Sequence, residues 1–293
     1  VFRARDRIEV KTPDQIELMR AAGLVVAGAL DLVREHLVAG VTTATLDELA
    51  ETYIRDHGGV PSFLGYPYSG ENDFPGTICA SVNDEIVHGI PGPRVIQDAD
   101  LVSIDCGAIV AGWHGDAAFT AAVGPVPEDQ QELLKATEAA LWQGLAAARV
   151  GARLSDISHA VELVLRGGGR FGIVEEYVGH GIGTQMHMDP QVPNFGPPGR
   201  GPRLVAGMAL AVEPMATLGR RYTRVLDDDW TVVTADGSRA AHFEHTVAVT
   251  DQGPWVLTAV DGGARRFADL GVAGAATAAG AAGPGFPGPP GVP

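Results

Sequence analysis

From Thr12 onward the chain alternates between apolar runs that suit helices and shorter ones that suit strands. The run IELMRAAGLVVAGALDLVREHL follows Thr12-Pro13-Asp14-Gln15 and stops before Gly40. A threonine with glutamine three residues later is a capping box, and proline suits the first helical turn because its missing N–H would go unbonded there anyway. A long helix is predicted. A second cap signal at Thr45 predicts a shorter helix through LDELAETYIRDH, stopped by Gly58-Gly59. Strand-like TICASVN, LVSIDCGAIV and DAAFTAAVG come next, the last two joined by a turn at Ala111-Gly112. Then the order repeats. Pro127 opens EDQQELLKATEAALWQGLAAARV, Gly151 breaks it, Ser155 caps DISHAVELVLR, and Gly167-Gly168-Gly169 ends that helix. GMALAVEPMA and AAHFEHTVAVT read as the closing strands. Two successive halves of long helix, short helix and strands predict an α+β domain with helices outside a shared antiparallel sheet, and a site built from both halves.

The apolar strands carry acids where a carboxylate is costly to bury unpaired. With Ala111-Gly112 as a two-residue turn, residue 110 faces 113 and 107 faces 116, so Asp105 and Asp116 are diagonal neighbours on one face. Two carboxylates there repel unless a cation lies between them. Glu213 lies in MALAVEPM, and Glu244 lies in AAHFEHTVAV on the face shared with His242 and Thr246. Each acid alone also reads as a strand-end, turn or edge residue. Together the four carry a charge that two divalent cations would cancel, and an imidazole from VGHGIGTQMH would supply a fifth ligand. Oxygen-rich sites with one nitrogen suit Mn²⁺, Fe²⁺, Co²⁺ or Zn²⁺, and paired ions of this kind activate water for hydrolysis. The glycines of VGHGIGTQMH lack the final spacing of a dinucleotide loop and no helix follows them. No G-x-S-x-G, H-E-x-x-H or C-x-x-C occurs.

Composition narrows the partners. Lys and Arg number 21 against 36 acids, a net charge of -15 that repels nucleic acid and anionic lipid alike. Two cysteines, Cys79 and Cys106, make no disulfide framework. No signal-like or membrane-spanning run is seen, and a cytoplasmic monomer is expected. The final segment GVAGAATAAGAAGPGFPGPPGVP is nearly all Ala, Gly and Pro. Such a composition buries too little apolar surface to offset its ordering entropy. The expected organisation is an N-terminal extension at 1–11, a catalytic domain at 12–260 and a disordered tail at 261–293.

NDEIVHGIPG, LVSIDCGAIVAGWHGDAAFT, GHGIGTQMHMDPQVPN, LAVEPM and FEHTVAVT, in this order, resemble the type I methionine aminopeptidases, over roughly 13 to 258. The resemblance implies the pita-bread fold, with two pseudo-symmetric halves around a dinuclear metal site. It implies Asp105, Asp116, His180, Glu213 and Glu244 as metal ligands, with Glu213 also the proton shuttle. His88 and His187 match the family's two other active-site histidines, expected to contact the substrate amide and the developing oxyanion. A methionine slot maps onto Phe63, Tyr66, Phe74, Cys79, Met186 and Trp230, aromatic and sulfur-bearing residues that suit a thioether. The implied substrates are the N-termini of nascent chains, with a small second residue, and docking at the ribosome is left open.

This chain departs from the family pattern at PYSGEND, 67–73, which is longer than the expected connection between Tyr66 and Phe74. It shows no large helical insertion between His180 and Glu244, which argues against type II. Two rival readings stay in view: an aminopeptidase P or prolidase, whose catalytic half usually follows a substantial N-terminal domain, and a metal-free docking protein on the same fold.

Overall fold

The computed structural model describes residues 8–67, 72–167 and 171–275. Helix α1, Pro13–His36, starts with the expected capping box: the Gln15 amide donates to Thr12 Oγ1 and the Thr12 amide donates to Gln15 Oε1. Helix α2, Thr43–Asp56, begins earlier than predicted. Thr42 is its cap, and Thr45, read as the cap from sequence, is the residue whose amide Thr42 accepts. Helix α3, Glu128–Ala147, follows Pro127, and α4, Leu154–Gly167, encloses Ser155 in its first turn. Ser155 is therefore no cap; its hydroxyl accepts the Arg200 amide, while Asp156 accepts the amide of Arg153.

Among the described residues nine strands form one antiparallel sheet. Its two longest, Leu101–Val110 and Trp113–Ala122, make the expected hairpin, with Val110 opposite Trp113 and Gly107 opposite Asp116. Ala111 and Gly112 take positive φ at the turn, as a two-residue hairpin of this hand requires. Trp113–Ala122 from the first half pairs with Glu244–Thr250 from the second, and this seam joins the halves. Ala209–Val212 and Gly179–Gly181 continue the sheet beyond the seam, and Ile78–Val82 pairs with Leu101–Val110 on the other side. Two segments predicted as single strands are each split. GMALAVEPMA gives Ala209–Val212 and Met215–Thr217, interrupted at Glu213-Pro214, because proline cannot donate to a ladder. AAHFEHTVAVT gives Ala240–His242 and Glu244–Thr250, interrupted at Phe243.

α1 packs on both strands of the hairpin, and α3 packs on α4 and on second-half strands. The largest apolar cluster joins residues of these helices with the sheet side chains facing them, among them Ile104, Cys106, Ala117 and Phe119. Helix and sheet touch closely at Gly115, where a Cβ would sit 2.7 Å from the Gly23 nitrogen. The packed side of the sheet is thereby fixed, and the alternate residues, 105, 107, 116 and 118, face the other way.

Order continues past the boundary expected at 261. Helix α5, Ala264–Asp269, buries Phe267 against Trp142, and Arg20 donates to the carbonyls of Val256, Leu257, Ala259 and Val260 just before it. The Ala/Gly/Pro reading therefore placed the tail too early; its remainder, 276–293, lies outside the described residues, as do 1–7 of the expected extension. Residues 8–11 are part of the fold, with Ile8 packed on the core and the Lys11 amide donating to Gly207. Among the described residues no helix is long and apolar enough to cross a membrane.

Phe267→Ala should cost about 3–5 kcal/mol in urea unfolding, the usual range for deleting a fully buried aromatic side chain. A change under about 1 kcal/mol would return residues from 261 onward to the tail.

Candidate active site

Five sequence-predicted residues meet on the sheet face turned away from α1. Register places four of them on two adjacent rungs. Asp105 pairs with Ala118, and Ala118 with Glu244. Gly107 pairs with Asp116, while Thr246 pairs with Ala211 and Ala211 with His180. Thr246 locks the rungs together across the seam: its hydroxyl donates to the Asp116 carbonyl and accepts the Asp116 amide. The small residues Gly107, Ala118 and Ala211 intervene between the acids and the imidazole. Glu213 projects from the break after Ala209–Val212, with Oε1 3.5 Å from His180 Nε2. Its backbone carbonyl is held by Asn194 Nδ2.

The carboxylates crowd one another. Asp105 and Asp116 lie close enough for each to perturb the other's ionisation. Burial pushes Asp105 up to about 7. Burial first, then the neighbouring carboxylates, pushes Asp116, Glu213 and Glu244 well above the ordinary range. Burial holds His180 down at about 3, an unprotonated imidazole able to bind a cation. Its Nδ1 lies 2.9 Å from the Gly181 carbonyl, an arrangement in which a proton on Nδ1 leaves Nε2 free to coordinate.

A divalent cation fits this donor set. Asp116, His180 and Glu244 each offer one atom within 4.8 Å of the others. Asp105 Oδ1, Asp116 Oδ1 and Glu244 Oε1 are buried without a hydrogen-bond partner among the described residues. Buried carboxylate oxygens left unpaired are costly, and a cation removes that cost.

All six predicted slot residues also come together. Phe63, Phe74, Cys79, Met186 and Trp230 belong to one buried cluster, apart from the main core, with Tyr66 packed against it. Phe74 meets Trp230 edge to face at 5.1 Å, and Cys79 stands opposite Asp105 on the neighbouring strand. Gly107 bounds the same space: a Cβ there would be 2.6 Å from Met186 Cε and 3.0 Å from Phe63 Cε1. The long 67–73 connection does not displace Tyr66 and Phe74. Two backbone hydrogen bonds, Gly65 to Phe74 and Phe74 to Tyr66, close its base, although 68–71 lie outside the described residues.

His88 and His187 flank the cluster. His187 Nδ1 is 2.6 Å from the Tyr66 hydroxyl, and its ring lies 4.4 Å from that of His180. One side of His187 is open to solvent, yet the cleft desolvates it enough to lower its pKa. His88 sits at φ 60°, a left-handed conformation uncommon for a side-chain-bearing residue and frequent at functional sites. Its ring is edge to face with Trp230, and burial lowers it to about 4.

Two histidines at the site were not assigned from sequence. His114 shares the face of Asp116, lies 3.0 Å through Nδ1 from Ser62 Oγ, and donates its amide to Gly183 in the glycine loop. His242 approaches Glu213 and Glu244. The available signal was the same for both: a histidine two residues from an acid in an apolar strand.

The raised carboxyl pKa values fix a stability trend. Above pH ~7 the histidines, with an unfolded value near ~6.5, are neutral in both states and add no slope. The carboxyls keep protons in the folded state that they lose on unfolding, so stability falls as pH rises through their folded values. The melting temperature of metal-free protein should therefore drop between about pH 7 and 8.5, and saturating Mn²⁺ should remove the drop by favouring the ionised form. A flat metal-free profile would contradict the crowding.

The family pattern for metallopeptidase family M24 matches residues 17–251. A methionine aminopeptidase 1 of Mycobacterium tuberculosis is 54% identical over 263 residues, 88% of this chain and 97% of that protein. One of Bacillus subtilis is 50% identical over 250 residues, 85% of this chain and 98% of that protein. The crystal structure of a Thermotoga maritima methionine aminopeptidase superposes with a TM-score of 0.83 at 42% identity, covering 86% of this chain and 99% of that one. A prolidase of Pyrococcus furiosus shares the fold, with a TM-score of 0.68 at 20% identity. The chain belongs to metallopeptidase family M24 and, within it, to the methionine aminopeptidases.

Proposed function

We propose that this chain removes the initiator methionine from nascent polypeptides, preferring a small second residue, with two divalent cations held by Asp105, Asp116, His180, Glu213 and Glu244. The observation that carries this reading is the meeting, on one sheet face, of four carboxylates and an unprotonated imidazole beside a separate apolar slot. When bound, the cations supply a water of lowered pKa and positive charge to balance the oxyanion.

The chain's own residues do the rest. Phe63, Tyr66, Phe74, Cys79, Met186 and Trp230 enclose an unbranched thioether, their aromatic rings and sulfur atoms giving it favourable contacts. Glu213, ionised once cations offset the neighbouring carboxylates that otherwise raise its pKa, would accept the proton from the attacking water and deliver it to the leaving amine. His187 donates to the oxygen of the scissile carbonyl as charge develops there, and Tyr66, in contact with its Nδ1, sets the orientation of the ring. His88, whose ring meets Trp230 edge to face, contacts the peptide amide. A cleft bounded by these side chains leaves little room at the second residue.

Glu213→Gln keeps the shape and removes the proton acceptor. Methionine release from Met-Ala-Ser should fall by about 10²–10⁴-fold with an unchanged circular dichroism spectrum; wild-type turnover would sink the assignment. Wild-type protein offered Xaa-Pro dipeptides beside Met-Ala-Ser should release methionine and leave the prolyl bonds intact. Efficient Xaa-Pro cleavage without methionine release would favour the prolidase reading.

A further inference from the structure

His242 is fully buried, and neither Nδ1 nor Nε2 has a hydrogen-bond partner among the described residues. A buried imidazole left this way needs an explanation. Its backbone is firmly mounted: the amide donates to Thr120 Oγ1 at 2.8 Å, and the Thr120 hydroxyl donates back to the His242 carbonyl at 2.7 Å. Thr120 in turn meets Ser103 Oγ at 2.8 Å. Pairing with Met215 then sets His242 beside the segment that carries Glu213. The nearest charged groups to its Nε2 are Glu213 Oε2 at 3.9 Å and Glu244 Oε2 at 4.0 Å. Glu213 thus stands between two imidazoles, with Oε1 toward His180 and Oε2 toward His242.

Both separations to His242 exceed hydrogen-bond length. Carboxylates that bind a metal are themselves held by donors behind them, and losing such a donor weakens metal binding. We propose that His242 is a positioning residue for the metal centre: its Nε2–H donates to the Glu213 and Glu244 carboxylates when they hold a cation, through the Glu213 oxygen that His180 does not face. This rests on the reading of Glu213 and Glu244 as ligands. It makes His242 neither a ligand nor a group that touches substrate.

The test compares wild type with His242→Leu, which removes the donor, and His242→Gln, which restores an N–H at similar reach. Mn²⁺ binding to metal-free protein is titrated calorimetrically, kcat and KM are measured on Met-Ala-Ser, and thermal melts verify folding. Leucine should weaken Mn²⁺ binding by about 10–100-fold and lower kcat at metal concentrations below saturation while KM stays near wild type, and glutamine should recover most of both losses. Leucine binding Mn²⁺ as wild type does, or glutamine rescuing nothing, would overturn the proposal. Should the leucine variant fail to fold, His242→Asn, polar but too short to reach either carboxylate, takes its place with the same expected loss. Wild-type protein that binds no Mn²⁺ at all would instead overturn the ligand assignment itself, so the two failures are distinguishable.

Discussion

Four carboxylates packed onto one face of an antiparallel sheet are the constraint to which the rest of this structure answers. No hydrophobic packing compensates for that much like charge out of water. Two consequences follow: burial and like charge raise the carboxyl pKa values, favouring protonated forms when no cation is held, and a cation-sized set of donors is left with unpaired oxygens. The sheet can hold such a cluster because its other face is anchored. α1 closes against Gly115, and α3 and α4 cover the second half, so the metal-facing rungs are presented by a rigid, well-packed frame.

The same frame explains why specificity and chemistry sit together. Asp105 and Gly107 share one face of a single strand, and Gly107 lies against Phe63 and Met186. Cys79 faces Asp105 across the ladder. On the proposed reading the methionine slot is a lateral continuation of the carboxylate rungs, and a thioether seated there would bring its peptide bond over the carboxylates. His187 belongs to both parts, ring against His180 and Nδ1 against Tyr66.

Much of this was legible in the residues because strand alternation is rigid. Once Ala111-Gly112 is recognised as a tight turn, the positions of Asp105 and Asp116 follow from counting, and the register matches. Glu213 and Glu244 stood out as acids in apolar runs. What the pattern hid were departures from regular strands. The break at Glu213-Pro214 and the kink at Phe243 look like continuous strand in sequence, yet each aims a carboxylate that a straight strand would place differently. Helix starts slipped at Thr42 and Leu154, where several cap-competent residues stand close together and tertiary partners decide among them. Phe267 was hidden by its neighbourhood, a single aromatic at the edge of an Ala- and Gly-rich segment whose burial depends on Trp142 far away in sequence. His242 escaped because its partners come from three different strands and the break beside Glu213.

The most direct test of the account is anomalous diffraction from crystals grown with Mn²⁺. Two peaks ~3.5–4 Å apart, within bonding distance of Asp105, Asp116, His180, Glu213 and Glu244, are expected. No peak at this face, or ions bound only at surface acids, would contradict the claim that these buried carboxylates exist to hold metal.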